Sequence, residues 1–258
     1  MMCYIKYACS QYFTWLGYIS IIIGVVAVVP VDQKYNYVAL ILVIICFALA
    51  FAIPFSIAMK KRNFKIKTIG KSNVSFEFGN LFEEKCFVIT TNRHFDVNPT
   101  GEWIAPDSLM GIYANKYFAN NIERLESLID AEVGDRNIPY KYGKTIKIQH
   151  DGKIVYLLAF TDRKKTKQPK DFYEKSLQGM FEFIVTENHG ETIAIPLIGD
   201  NNDLSDSGFD NSTITYKYLM TMINSFETRH PRSGIKLKIV ALPEKRAELV
   251  SVVHSYTQ

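Results

Sequence analysis

The sequence predicts an α/β sandwich on a mixed sheet, preceded by a hairpin of two membrane-spanning helices. Three observations carry this reading. Two long uncharged stretches, residues 12–31 and 35–59, stand near the N-terminus. From about Phe64 onward, short apolar strands alternate with amphipathic helices. Between these regions lies a compact basic block, KKRNFKIK at residues 60–67. Of the 258 residues, 48% are apolar and 22% charged, a balance that excludes a disordered or collagen-like chain.

The uncharged stretches are 20 and 25 residues long. At about 1.5 Å of rise per residue, each is long enough as a helix to cross a hydrocarbon core of about 30 Å. A cleaved signal peptide would account for the first stretch alone, and its apolar core is shorter. Residues 31–34 (VDQK) join the two spans. Orientation follows from where the positive charge lies. The joining loop holds one Lys and one Asp, whereas five basic residues follow the second span. The loop is therefore expected outside, and everything after Lys60 in the cytoplasm, against anionic headgroups. Thr14, Gly17, Ser20, Gly24 and Ala27 share one helix face, as do Ala48, Ala52 and Ser56. Small residues at these steps let helices pack within one hairpin or between copies. Neither span contains Asp, Glu, Lys or Arg, which argues against a proton relay, voltage sensor or transporter.

The formal charge of +4 resolves along the same division. Residues 1–59 carry +1, the basic block +5 and the remaining 191 residues −2. A broad basic face for nucleic acid is therefore not expected.

In the second region, residues 73–78 (NVSFEF) alternate as a half-buried strand, and residues 86–91 (CFVITT) read as a more continuous apolar strand. Residues 106–118 and 122–131 are expected as helices, with Asp107 or Ser108 as the first N-cap. Residues 145–149 and 153–161 read as a hairpin turning at Asp151-Gly152. Residues 170–187 form a helix introduced by Pro169, and residues 191–198 a buried strand. Residues 211–228 form a helix, 235–242 a strand, and 244–254 a last helix opened by Pro243. The chain thus divides into a hairpin with its basic end, residues 1–62, and a cytoplasmic domain, residues 63–258.

Ligands of α/β sheets gather beyond the carboxyl ends of strands. Three loops there draw attention: Gly79-Asn80, residues 91–96 (TNRHFD) and residues 199–210 (GDNNDLSDSGFD). The last precedes a helix, whose amides could hold a phosphate; a polar connecting loop has the same composition. No GxxxxGKS/T, GxSxG, HExxH or post-strand GxGxxG motif is present. No two of the five histidines fall within two helical turns, so a metal site is not indicated, and without an enzyme motif no catalytic residue is expected. Cys3, Cys9, Cys46 and Cys86 lack zinc-site spacing, and a cytoplasmic placement disfavours disulfides.

The order of strand, Gly79-Asn80, apolar strand, Thr91-Asn92, and later IPLIG before a loop and helix resembles a macro domain, the fold that binds ADP-ribose. More closely, GNLFEEKCFVITTNRHFDVN, PDSLMGIYANKYF, VYLLAFT and IPLIG are similar to the macro domain of Thoeris anti-phage defence effectors. The version with two transmembrane helices ahead of the macro domain matches the whole layout. The resemblance implies a macro-domain-like three-layer α/β/α sandwich with a mixed sheet. It implies Gly79 and Asn80 near adenine, and Thr91, Asn92, Phe95 and Asp96 near the distal ribose. Leu197, Ile198, Gly199, Asp200, Asn201 and Gly208 would surround the diphosphate, and Gly111 would border the ligand.

The resemblance also implies a role. A TIR-domain partner, not stably bound, turns NAD into an ADP-ribose-derived signal, for the membrane-bound type histidine-ADP-ribose. Binding then drives the helices to disrupt the bilayer in abortive infection. The protein would be a homo-oligomeric, multi-pass protein of the bacterial inner membrane, without cofactor. Two departures bear on catalysis. Asn80 stands where many macro domains have Asp, and RHFDVNPTG replaces the glycine-rich stretch of the ADP-ribosylhydrolases. These favour a non-catalytic sensor over the alternative, a membrane-tethered ADP-ribosylhydrolase.

Overall fold

The computed structural model describes residues 63–69, 72–163, 169, 171–188, 190–198, 211–229 and 234–246, together with Gly17, Ser20, Ile45, Ala48, Leu49, Ala52, Leu249 and Val253. Most of both expected spans, and residues 199–210, lie outside these. The six described residues within the spans are helical. Among the described residues no helix is long and apolar enough to cross a membrane. Residues 65–243 form one compact unit, and residues 1–64 with 244–258 form another.

The larger unit is built on a seven-stranded sheet. Its strands are β1 (Asn63–Ile69), β2 (Ser72–Phe78), β3 (Cys86–Asn92), β4 (Thr145–His150), β5 (Lys153–Thr161), β6 (Thr192–Pro196) and β7 (Lys236–Ala241), in the spatial order β1-β2-β7-β6-β3-β5-β4. From β2 to β5 the neighbours are parallel, and β4 runs antiparallel to β5. The helices are α1 (Leu109–Phe118), α2 (Ile122–Asp130), α3 (Phe172–Glu187) and α4 (Asn211–Arg229).

Side-chain alternation along β5 assigns the layers. Val155, Leu157 and Ala159 join Phe87 and Ile89 in a core closed by Met110, Tyr113 and Phe118 of α1 and by Leu125 and Ile129 of α2. Tyr156 and Phe160 point the other way, onto Phe183, Phe172 and Tyr173 of α3. Helix α4 joins that layer through Tyr218 against Tyr173 and Phe226 against Phe181. A central strand covered on both faces needs a continuous apolar run, and β5 is fully buried from Val155 to Phe160. Strand β2, nearer the edge, alternates between buried and more exposed residues.

The element boundaries follow local chemistry. Helix α1 starts at Leu109, three residues later than its periodicity suggests, because Ser108 is the cap: its Oγ accepts from Gly111 N at 3.1 Å. The β4–β5 turn has positive φ at both Asp151 (47°) and Gly152 (73°), the geometry that an Asp-Gly pair accommodates. Strand β1 adds an element that the sequence reading took only as a basic block: Lys65 and Lys67 lie on it. The segment after Pro243 opens as a 3₁₀ turn, Pro243–Lys245, rather than directly as an α-helix.

His150 ends β4 in an aromatic enclosure. Its ring lies 4.8 Å from Phe118, 5.3 Å from Tyr117 and 5.5 Å from Tyr113, and its Nε2 is buried without a hydrogen bond. Burial lowers its pKa, and nearby Arg124 and Lys153 add to this; Asp151, 3.6 Å from Nδ1, opposes them without prevailing. A depressed pKa means that the unfolded chain takes up the proton first. The stabilisation from neutral His150 is therefore complete above the ordinary histidine pKa of about 6.5 and is lost as pH falls below it. The urea midpoint should drop between pH 7.5 and 5.5, and His150→Phe should flatten that dependence. An unchanged slope in the variant would contradict the assignment.

Candidate ligand-binding site

All five parallel strands end at one edge of the sheet: Phe78, Ala241, Pro196, Asn92 and Thr161 are their last residues. Of the loops that the sequence suggested as ligand-binding, Gly79-Asn80 and residues 91–96 follow the ends of β2 and β3 here, and residues 199–210 lie outside the described residues. The parallel arrangement is what gathers them.

At the end of β2, Gly79 N donates to Ala241 O, tying the loop to β7. Asn80 then caps the 3₁₀ turn Leu81–Glu83, its Oδ1 accepting from Phe82 N at 3.0 Å. The side-chain carbonyl of Asn80, the residue that the resemblance implies near adenine, thus already serves one backbone donor, with one lone pair remaining.

The loop after β3 is folded upon itself. Thr91 Oγ1 donates to Asp96 O. Asn92 Oδ1 accepts from the amides of His94 and Asp96, while its Nδ2 donates to Asp96 Oδ2 at 2.9 Å. Asn92 and Thr91 are both buried. Phe95 turns inward in a left-handed conformation (φ 54°) and is fully buried in the core, 5.6 Å from the Tyr140 ring. It is a core anchor of the loop, and the polar groups of Asn92 hold the loop's shape.

Two arginines complete the arrangement. Arg163, just past β5, grips Asp96 with a bidentate fork, at 2.6 Å from Nε and 2.7 Å from Nη2, and lies 5.8 Å over the Trp103 ring. Burial works to raise the Asp96 pKa, but hydrogen bonds from Arg163 and Asn92 outweigh it and hold the carboxyl below its ordinary value. Arg93 pairs with Asp162 at 2.9 Å, stacks 4.4 Å over Tyr142 and donates to Tyr140 O. Tyr142 donates to Asp162 at 2.6 Å, and burial together with that carboxylate pushes its pKa up to about 12. Adjacent residues at the end of β5, Asp162 and Arg163, thus clasp Arg93 and Asp96 in crossed ion pairs. None of Arg93, Trp103, Asp162 or Arg163 was singled out from the sequence as a site residue. The available cue was an acid–base dipeptide at the end of a buried strand.

Leu197 and Ile198 are buried beyond β6, and Tyr173 of α3 donates to Ile198 O at 2.9 Å. Gly199, Asp200, Asn201 and Gly208 lie outside the described residues. Gly111 is buried in the first turn of α1, against the backbone of Ala105 and Pro106. Cys86 is buried, and burial raises its thiol pKa to about 12, so the thiol is unreactive at neutral pH. Among the described residues no three His, Cys, Asp or Glu side chains converge to hold a metal.

A cavity of about 420 Å³ opens beside the Asp96–Arg163 pair. The loop after β3 supplies Asp96 and Trp103, α2 supplies Glu126 and Asp130, and the following loop supplies Asp135 and Arg136. Among the described residues that the sequence suggested for the site, Asp96 alone lines it.

A family model described as Thoeris protein ThsA, Macro domain, matches residues 74–241. Among solved structures, the macrodomain of Thermus aquaticus DarG is 14% identical, the match covering 66% of this chain and 99% of that one with a TM-score of 0.44. A point mutant of an Oceanobacillus iheyensis macrodomain is also 14% identical, covering 75% and 96% with a TM-score of 0.49. The macrodomain of Mycobacterium tuberculosis DarG is 14% identical, covering 65% and 96% with a TM-score of 0.42. No curated protein gives a significant match.

Proposed function

The chain belongs to the Thoeris ThsA macro-domain family, and from that premise we propose that it is the membrane-anchored effector of an anti-phage system, gated by an ADP-ribose-derived signal. The family match over residues 74–241 carries this reading. The signal is histidine-ADP-ribose made by a TIR-domain protein. It binds the macro domain along the carboxyl edge of the sheet, facing the cytoplasm. Binding switches the residue 12–59 hairpin in a homo-oligomer and disrupts the inner membrane.

The protein acts as a sensor rather than an ADP-ribosylhydrolase. Asp96 supports this, because a carboxylate that accepts from Asn92 and Arg163 and has a lowered pKa is a poor general base. Titration calorimetry of the full-length protein with ADP-ribose and histidine-ADP-ribose, followed by chromatography of the recovered nucleotide, tests both points. Saturable binding with the nucleotide returned intact is expected. Absence of heat with either nucleotide would reject the sensor reading, and a cleaved product would restore the hydrolase.

A further inference from the structure

We propose that the carboxyl edge of the sheet rests on an anionic lipid surface, with Leu242 and Ile138 as its apolar contacts and Lys141 and Lys144 as its headgroup contacts. The inference rests on the reading of residues 12–59 as a membrane hairpin. It goes further by naming the edge of the sensor that meets the bilayer and the side chains that meet it.

Chain direction decides which edge is near the bilayer. Only two residues separate Ile69 from Ser72, and β1 and β2 are neighbours in the sheet. A connection that short joins antiparallel strands, since a parallel pair needs a crossover of about a dozen residues. Strand β1 therefore begins where β2 ends, at the carboxyl edge. Three residues, Lys60, Lys61 and Arg62, separate Asn63 from Met59, the last of the second uncharged stretch. An extended chain covers about 3.5 Å per residue, so the start of β1 lies within about 14 Å of the end of that stretch. The opposite edge is farther by the length of a strand, about 23 Å for the seven residues of β2.

The same edge carries exposed apolar side chains. Among the described residues of the larger unit, the exposed large apolar side chains are Ile138 (66%), Leu242 (59%) and Ile112. Leu242 directly follows β7. Ile138 stands two residues before Tyr140, whose amide donates to Arg93 O just past β3. A single exposed apolar residue is ordinary. Two at the strand ends nearest the bilayer are placed to enter it. Lys141 and Lys144 are both exposed, in a loop held to β5 by bonds from Gly143 N to Ala159 O and from Ala159 N to Lys144 O. Neither ammonium has an ion-pair partner among the described residues. The charges beside them cancel, Arg93 with Asp162 and Arg163 with Asp96. The edge thus sets apolar tips between cations: residues 60–62 tied by the chain to the start of β1 at one end, Lys141 and Lys144 beside β4 and β5 at the other. Anionic headgroups above hydrocarbon match that arrangement. A nucleic acid would pair the lysines and leave Leu242 and Ile138 in water.

The test places the full-length protein in phosphatidylcholine vesicles, with or without about 30% phosphatidylglycerol. A membrane-impermeant amine reagent, sulfo-NHS-acetate, then labels exposed lysines, read by peptide mass spectrometry. Lys236, exposed at the start of β7 on the opposite edge, is the internal standard. Relative to Lys236, Lys141 and Lys144 should react about fivefold more slowly in the anionic vesicles, the scale of attraction between one lysine and an anionic leaflet. The double variant Ile138→Ser, Leu242→Ser should lose most of this protection while keeping the wild-type urea midpoint. Lysines that react equally fast in both kinds of vesicle would overturn the assignment, as would protection that survives in the double variant. Protection given by a short DNA duplex in neutral vesicles, but not by the anionic lipid, would overturn it in favour of nucleic acid. If the protein floats with the vesicles and any of these results is obtained, the edge assignment alone fails. If it does not float with them, the hairpin reading fails and takes the proposal with it.

Discussion

Gly143→Ala is expected to destabilise the domain by about 3 kcal/mol, from two sources that a control can separate. Gly143 has φ 84°, a conformation that costs an L-residue about 1–2 kcal/mol. An added Cβ would also stand 2.6 Å from Lys175 O and 3.1 Å from Gly179 Cα, both backbone atoms of α3. Relieving such a contact requires the helix to move, at about 1–3 kcal/mol. The approach is mutual, since a Cβ on Gly179 would lie 2.6 Å from Gly143 O. Gly143 N donates to Ala159 O, so the loop here is pinned between β5 and α3 and cannot give way. Gly152→Ala is the control: φ is 73° there, and nothing lies within 4 Å of the added carbon. It should show the conformational cost alone. Urea denaturation should therefore find Gly143→Ala clearly worse than Gly152→Ala. Equal losses would mean that the helix contact is softer than described.

Gly111→Ala should be comparably severe, and it should also impair nucleotide binding. The added Cβ would meet Ala105 O at 2.2 Å and Pro106 Cα at 2.9 Å. That turn holds the start of α1: Ser108 N and Oγ both donate to Ala105 O, and Ser108 Oγ in turn caps Gly111 N. Displacing the turn costs the cap and the seating of the helix together, about 3 kcal/mol or more. The segment displaced continues the loop that contains Asn92 and Asp96, so affinity should fall with stability. Ser108→Ala, which removes the cap alone, should cost only about 1 kcal/mol. A Gly111→Ala protein that keeps wild-type stability but loses nucleotide binding would show direct contact between this position and the ligand. A parallel loss of both is the expected result.

Gly111 shows how far a motif can be read from a linear chain. The sequence located it at the entrance of a helix, and the structure has it in the first turn of α1. What the sequence could not show is that the neighbouring backbone of residues 105–106 closes upon it. Asn92 is similar. Its place at the end of a strand was legible, but three hydrogen bonds to its own loop are a matter of geometry. The resemblance implied Phe95 near the distal ribose. A single left-handed residue turns it into the core instead. The crossed pairs Arg93–Asp162 and Asp96–Arg163 join residues 67 or more positions apart. No local pattern announces them.

The sequence by itself determined the alternation of strands and helices, the Asp107-Ser108 and Asp-Gly signals that punctuate them, and the family to which they belong. Each of these depends on neighbours within a few residues, where periodicity and backbone preference act. The tertiary structure alone decided which polar groups are already committed and which remain for a ligand. Parallel pairing brings the ends of β3 and β5 side by side, so that Arg163 pairs with Asp96 and Asp162 with Arg93. Coulombic and hydrogen-bond partners are set by distance through space, and only the folded sheet supplies that distance.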